Sequence, residues 1–320
     1  MSRTSFASLH PDAGAAARGW VTVPGIDPRW EVPAFVIRGT EPGPTLVVVG
    51  GIHAAEYCSI EAAIRLGRTT DPSGLAGTLI VVPLVNMPGF YERSLYINPR
   101  DGRNINRSFP GRSDGSPAER LTNFLTTELI EGSDAFLDLH GGDMVEALIP
   151  FTIYRETGDS AIDTQSRALA EAYDLDYVLA TPADAVPGAS YAAAAALMIP
   201  AIIAEVGQQG IYEQESVARH LRGLRNVLVH LKMRPGAEER LVTPQVLNRF
   251  VWMYTSRSVT YHPRVHVGEE VEKGQLVAEL RDEFGETVEA LHAPATGRVL
   301  FLVTSLAVRK GDPLLAIGAL

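Results

Sequence analysis

Two continuous apolar runs rich in β-branched residues, TLVVVGG (45–51) and TLIVVPLVN (78–86), restrict the folds open to this chain more than any other feature. A run with no polar alternate position describes a strand covered on both faces, as in a parallel sheet layered between helices. Between them EYCSIEAAIRLGR has helical spacing, which completes a βαβ unit. The rhythm continues with SPAERLTNFLTTELI (116–130) as a helix, DAFLDLHGG (134–142) as a strand entering a Gly-rich loop, and PFTIYR (150–155) as a strand. DTQSRALAEAYD (163–174) and ASYAAAAALM (189–198) read as helices, PAIIAEVGQQG (200–210) as strand and loop, and QESVARHLRGLRNVLVHL (214–231) as a long amphipathic helix. Strands alternating with helices define an α/β fold with an open sheet, whose ligands sit beyond the carboxyl ends of the strands.

The flanks differ in texture. From Gly19 to Gly39 the alternation in WVTVPG and WEVPAFVIRG suggests a hairpin, closed by the turn-forming TEPGPT. After Met233 helical spacing stops, and MRPGAEERLVTP reads as a linker. The remainder is strand and turn, with V-x-x-G-x-x-V-x-K-G-Q-x-V echoed by V-x-K-G-D-P-L about 35 residues later. That doubled pattern resembles the small β-sandwich of biotinyl and lipoyl carrier domains. The expected division is therefore an α/β domain over residues 1–236 and a small all-β, barrel-sandwich (lipoyl-like) domain over 237–320.

Composition narrows the partners. The formal charge is −10 with no cluster of Lys or Arg, so neither nucleic acid nor an anionic membrane has an electrostatic footprint, and a small-molecule ligand is expected. The single cysteine, Cys58, leaves any transition metal to His and carboxylate donors and fits a reducing cytoplasm. Residues 1–20 lack a basic start followed by an apolar stretch, and no later run approaches the ~20 apolar residues that cross a bilayer. A cytoplasmic location follows as an expectation, and assembly into a homo-oligomer is left open.

Four constellations carry chemistry. In GGIHAAE (50–56), His53 and Glu56 stand three apart where a strand gives way to a helix, so that an imidazole and a carboxylate share a face. The plain alternative is a loop with a capping His and a solvated Glu. In LDLHGG (137–142), His140 closes another strand; two His and one Glu from two strand ends leave a fourth metal position open, the catalytic arrangement for zinc. Asp138, two residues earlier on the same face, is placed to orient the His140 ring. NPRDGRNINRSFPG (98–111) is a loop whose guanidinium groups suit carboxylate recognition or oxyanion stabilisation, unless it is simply solvated. In AEVG (204–207), Glu205 ends an apolar strand; beside a metal-bound water it would act as general acid/base, and beside an arginine it would be a structural ion pair.

In order, H-x-x-E, N-R-x-F-P-G, D-L-H-G and E-V-G resemble the succinylglutamate desuccinylase/aspartoacylase family, relatives of the zinc carboxypeptidases, over residues 45 to about 230. The resemblance implies a zinc-carboxypeptidase-like mixed, mainly parallel sheet flanked by helices, with one Zn2+ held by His53, Glu56 and His140. It implies that Glu205 is the catalytic carboxylate, that Asn106 and Arg107 bind the substrate carboxylate, and that Arg100 or Arg103 polarises the oxyanion. The sequence departs at Asn104-Ile105, where Asp-Leu is usual, and at Ala54-Ala55, where a Gly is common. Arg155, Tyr154, Tyr191 and Tyr212 offer no clear counterpart to acyl-recognition residues.

The expected activity is zinc-dependent hydrolysis of the amide bond of a small N-acyl amino acid. A metallocarboxypeptidase acting on short peptides is the alternative, and a non-catalytic metal-binding module a third reading. A biotin or lipoate carrier would need a Lys at the tip between the halves of the C-terminal repeat, and LRDEFGETVEALHAPATG contains none. That segment is therefore read as a structural or substrate-gating lid.

Overall fold

The computed structural model describes residues 6, 9–182 and 185–319. Residues 1–5, 7 and 8, part of the N-terminal stretch expected to lack a leader, lie outside the described residues. A hairpin of β1 (Ala15–Val23) and β2 (Trp30–Arg38) opens the chain, followed by β3 (Glu41–Gly50), α1 (Tyr57–Thr69), β4 (Ala76–Val82) and α2 (Met87–Glu92). The Asn/Arg-rich loop carries a two-stranded ribbon, β5 (Ile97–Asn98) and β6 (Arg103–Asn104), and leads to α3 (Pro117–Leu125) and β7 (Ala135–His140). Then come β8 (Glu146–Leu148), β9 (Phe151–Arg155), α4 (Ser160–Ala172), β10 (Tyr177–Thr181), α5 (Ser190–Ala196), β11 (Ala201–Glu205), α6 (Gln214–His230) and β12 (Gln245–Leu247).

These strands form a nine-stranded sheet in the order β1-β2-β4-β3-β7-β11-β9-β10-β12. Its centre, β4-β3-β7-β11, is parallel, and antiparallel pairing enters at the hairpin edge and at β11-β9. The expected mixed, mainly parallel sheet with flanking helices is what forms. Because side chains alternate along a strand, Val47, Val49, Phe136 and Ile203 enter one core, while Leu46, Val48, Leu137, Leu139 and Ala204 enter the other. The same alternation carries Asp138 and His140 to the face of Phe136, and Glu205 to the face of Ile203. Helix α1 begins at Tyr57 with Glu56 at its N-cap position. The His53–Glu56 pair therefore occupies the turn ahead of the helix, not its first turn.

Beyond Asn248 the architecture changes. β13 (Arg249–Tyr254), β14 (Val259–Pro263), β15 (Glu270–Val271), β16 (Leu276–Arg281), β17 (Thr287–His292), β18 (Gly297–Val303), β19 (Ala307–Val308) and β20 (Pro313–Ala319) build two antiparallel sheets. They enclose a separate core that includes Tyr261, Val277, Leu280, Val299, Leu314 and Ile317. The two regions interlock: β8 pairs with β18, and β12, inside the stretch expected to be β-domain, extends the large sheet beside β10. None of the helices is long and apolar enough to cross a membrane, among the described residues.

Candidate active site

The carboxyl ends of β3, β7 and β11 converge on a cavity of 370 Å³. β3 and β7 run side by side, and in the β7-β11 pair Glu205 is the cross-strand partner of His140. After β3, Gly51 takes a φ of +63°, a turn that an L side chain rarely adopts, and it brings His53 and Glu56 back over the strand ends. After β7, a Cβ on Gly141 would stand 2.5 Å from the Val206 carbonyl oxygen, so only glycine lets the two strand-end loops touch. The Gly141 N–H then donates to Glu56 Oε2 at 3.1 Å.

Glu56 joins the two histidines. Its Oε1 lies 2.9 Å from His53 Nδ1 and its Oε2 2.9 Å from His140 Nδ1. Their ligand atoms all lie within 4.8 Å of one another, so one ion can be shared. The far nitrogens are occupied: His53 Nε2 is 3.1 Å from Asn104 Oδ1, and His140 Nε2 is 2.9 Å from Asp138 Oδ2. An acceptor at Nε2 keeps the proton there and leaves the Nδ1 lone pair free, the tautomer a metal ligand needs. Burial would raise the Glu56 carboxyl, yet His140 and His53 hold it at about 2, so it is ionised. The donor set suits a divalent cation of borderline preference.

Asp138 is fully buried; its Oδ2 also accepts from Ser190 Oγ, and its Oδ1 has no hydrogen-bond partner among the described residues. Asn104 caps the short 3₁₀ turn Ile105–Arg107 by accepting from the Asn106 N–H at 2.8 Å. The residue that departs from the usual Asp is thus the one that orients His53. Asn106 is buried, with Oδ1 accepting from Ser190 N at 2.8 Å and Nδ2 3.3 Å from His140 Nε2. Arg107 lines the cavity, and its Nη1 donates to the Asn106 carbonyl at 2.7 Å. Burial lowers the Arg107 pKa from its ordinary value, while Tyr254, Tyr191, Glu146 and Glu205 favour the charge.

Glu205 keeps a partly exposed edge toward the cavity. Burial raises its carboxyl to about 8; His140 and Arg107 oppose the shift, and Glu56 and Asp138 add to it. A carboxyl poised near neutral pH can both take and return a proton.

Arg100 and Arg103 stand elsewhere. The Arg100 guanidinium donates to the Pro28 carbonyl and lies 4.8 Å over the Trp30 ring, in a separate depression of 820 Å³ beside the hairpin. Arg103 pairs at 3.5 Å with Glu119, whose carboxylate is fixed by the capping box that starts α3. Neither guanidinium lines the cavity of the His-Glu-His group. Of the other residues considered, Tyr191 lines that cavity and bonds Thr181, Tyr154 is in the opposite core, and Tyr212 lies outside against Arg65. Arg155 donates to the Ala192 carbonyl at 3.1 Å.

Three contributors were not legible beforehand. His220 of α6 is fully buried, its Nε2 reaching the His140 and Val206 carbonyls at 3.1 and 3.2 Å and its Nδ1 facing the Tyr173 hydroxyl at 2.8 Å. Its place on the same helical face as Val217 and Leu224 was the available signal. Glu146, the first residue of the three-residue strand β8, and Tyr96, in the loop just ahead of β5, line the cavity from segments too short to show periodicity. The opposite wall comes from the β-rich region: Phe250, Trp252, Tyr254, Phe301 and Asp312.

A mixed, mainly parallel sheet with two histidines and two glutamates at its central strand ends defines the zinc-carboxypeptidase-like class. Residues 42–231 match the succinylglutamate desuccinylase/aspartoacylase catalytic domain, and the chain belongs to that family. It is 30% identical over 260 residues to an N-alpha-acetyl-L-2,4-diaminobutyric acid deacetylase of Halomonas elongata, covering 78% of this chain and 74% of that one. It is also similar to the product-bound structure of the ectoine utilization protein EutE (DoeB) from Ruegeria pomeroyi, with a TM-score of 0.87, 25% identity and coverage of 98% and 97% of the two chains. A succinylglutamate desuccinylase/aspartoacylase structure from Rhodobacter sphaeroides matches with a TM-score of 0.85 and 25% identity over 96% and 97%.

Proposed function

We propose that this chain hydrolyses the amide bond of small N-acyl amino acids, with a single zinc ion as cofactor. The observation that carries the reading is the cross-strand pair of His140 and Glu205, which sets a carboxylate that can exchange a proton beside a His-Glu-His donor group. His53, Glu56 and His140 would hold the ion through two Nδ1 atoms and a carboxylate, with Nε2 of each ring anchored by Asn104 and Asp138. When bound, zinc would supply Lewis acidity toward the amide carbonyl and lower the pKa of water.

The protein's own groups perform the rest. Glu205 accepts a proton from the attacking water and returns it to the departing amine, so the amine leaves neutral. Arg107, with Asn106 beside it, offers charge-assisted donors to the substrate's carboxylate. Phe250, Trp252 and Tyr254 cover the cavity, and a space of 370 Å³ with such a wall favours a compact N-acyl amino acid over a peptide. Similarity to the Halomonas deacetylase makes N-acetyl-L-2,4-diaminobutyrate the first substrate to try.

The test is amine release by zinc-loaded protein from N-acetyl and N-succinyl amino acids, run beside short peptides. Release from the N-acyl amino acids alone supports the proposal. Release from peptides alone would make the chain a carboxypeptidase, and tight zinc binding without release from either would leave a metal-binding module.

A further inference from the structure

We propose that Tyr96 is a catalytic residue, donating its hydroxyl hydrogen to the carbonyl oxygen of the scissile amide; this rests on the N-acyl amino acid reading above. Charge builds on that oxygen as the amide is attacked, and donors aimed at it lower the barrier. The loop that precedes Asn106 and Arg107 was expected to provide an arginine for this work. Arg100 is committed to the Pro28 carbonyl and the Trp30 ring, and Arg103 to Glu119. The cavity-lining residue that this loop does offer, ahead of Asn104, with a strong side-chain donor is Tyr96.

Its placement is held against a backbone cost. Tyr96 has a φ of +53°, left-handed for a bulky residue, a conformation that persists only where its surroundings impose it. Two ties impose it here. The Tyr96 N–H donates to Asp143 Oδ2 at 2.9 Å, and the carbonyl of Ile97 accepts from Asn86 Nδ2 at 3.1 Å. Asp143 is fully buried, three residues beyond His140, so the clamp is built on the loop that follows a metal-ligand candidate. The Tyr96 ring meets His53 edge-on, with centroids 6.3 Å apart and planes at 83°. An aromatic side chain fixed beside the His-Glu-His group lines the cavity that would receive the acyl carbonyl.

The hydroxyl is also kept as a donor. A phenol ordinarily keeps its proton well above neutral pH, so the Tyr96 hydroxyl is available as a donor.

Tyr96→Phe tests the assignment because it removes one oxygen and leaves the ring and the backbone ties. With zinc content and thermal midpoint unchanged, kcat should fall about 10²-fold and KM should stay within about threefold, as for loss of a single oxyanion donor. A tetrahedral phosphonamidate analogue of the substrate should lose a similar factor in affinity, while the product amino acid inhibits as before. A kcat within threefold of wild type overturns the proposal, as does equal weakening of analogue and product, which marks a structural role. Should Tyr96→Phe fail to fold, 3-fluorotyrosine at position 96 must alter kcat and analogue affinity, and no change in either overturns it. If the wild-type protein releases no amine from any N-acyl amino acid, the deacylase reading itself fails, and this assignment falls with it.

Discussion

His140 Nε2 lies 2.9 Å from Asp138 Oδ2, two residues earlier on the same face of β7. The carboxylate is fully buried, braced by Ser190 and unpartnered at Oδ1 among the described residues, so it is directed at one ring. Asp138→Asn should weaken zinc binding by about 10–100-fold, since partners that orient a metal-ligating imidazole commonly matter by that factor. Chelator competition measures it. His140→Ala should go further and abolish stoichiometric zinc, as read by elemental analysis; retained zinc there would remove His140 from the ligand set.

Glu205→Gln preserves shape and removes the proton-exchanging oxygen. We expect zinc content to hold and kcat to fall by about 10²–10⁴, the usual contribution of a positioned acid/base. Single-turnover measurements on zinc-loaded protein check it, and turnover near wild type would end the assigned role.

His220 links acid pH to stability. Burial lowers its pKa from 6.5 to about 4, against hydrogen bonds that would favour the charged form. The native ring is therefore neutral where the unfolded ring takes up a proton. Its contribution is full above pH 6.5 and is lost as pH falls from there to about 4, amounting to about 3 kcal/mol across that interval. Denaturant titrations of wild type and His220→Gln should show the stability gap between them shrinking between pH 7 and pH 4. A constant gap would contradict this.

Trp252 packs against Phe250 and Phe301, with ring centroids 4.7 and 5.0 Å away, and forms part of the wall opposite the histidines. Trp252→Ala should raise KM for N-acetyl amino acids about tenfold and leave kcat within about threefold, because it removes binding surface remote from the reacting atoms. If the wall limits substrate size, the variant should also hydrolyse N-acyl dipeptides faster than wild type does. Steady-state kinetics on both classes decide it.

Much of the chain was legible because its signals are local. Continuous apolar runs such as TLVVVGG announce strands buried on both faces, and their helical spacers announce the crossovers. His53, Glu56, His140 and Glu205 each stood at a strand end, so strand periodicity and the open-sheet rule suffice to bring them to one edge. The strand Tyr177–Thr181 was not foreseen, since a five-residue run between two helices carries little pattern of its own. The π-helical continuation of α3 at Thr126–Ile130 was read simply as helix.

What depends on distance through space needed the fold. Arg100 and Arg103 are chemically apt for an oxyanion, but Trp30 and Glu119 come from elements remote in sequence, and their attraction decides where those guanidiniums go. Asn104 looked like a mere departure until the turn at Ile105 set its amide against His53. The sequence by itself determined that His140 and Glu205 each close an apolar strand, because a buried run and the glycine that follows it are local signals, while the β7–β11 register that faces the two side chains the same way came from the fold. Only the tertiary structure decided that Tyr96, Glu146 and the aromatic wall of the β-rich region enclose those groups, because each arrives through packing and long-range pairing that no short window of residues encodes.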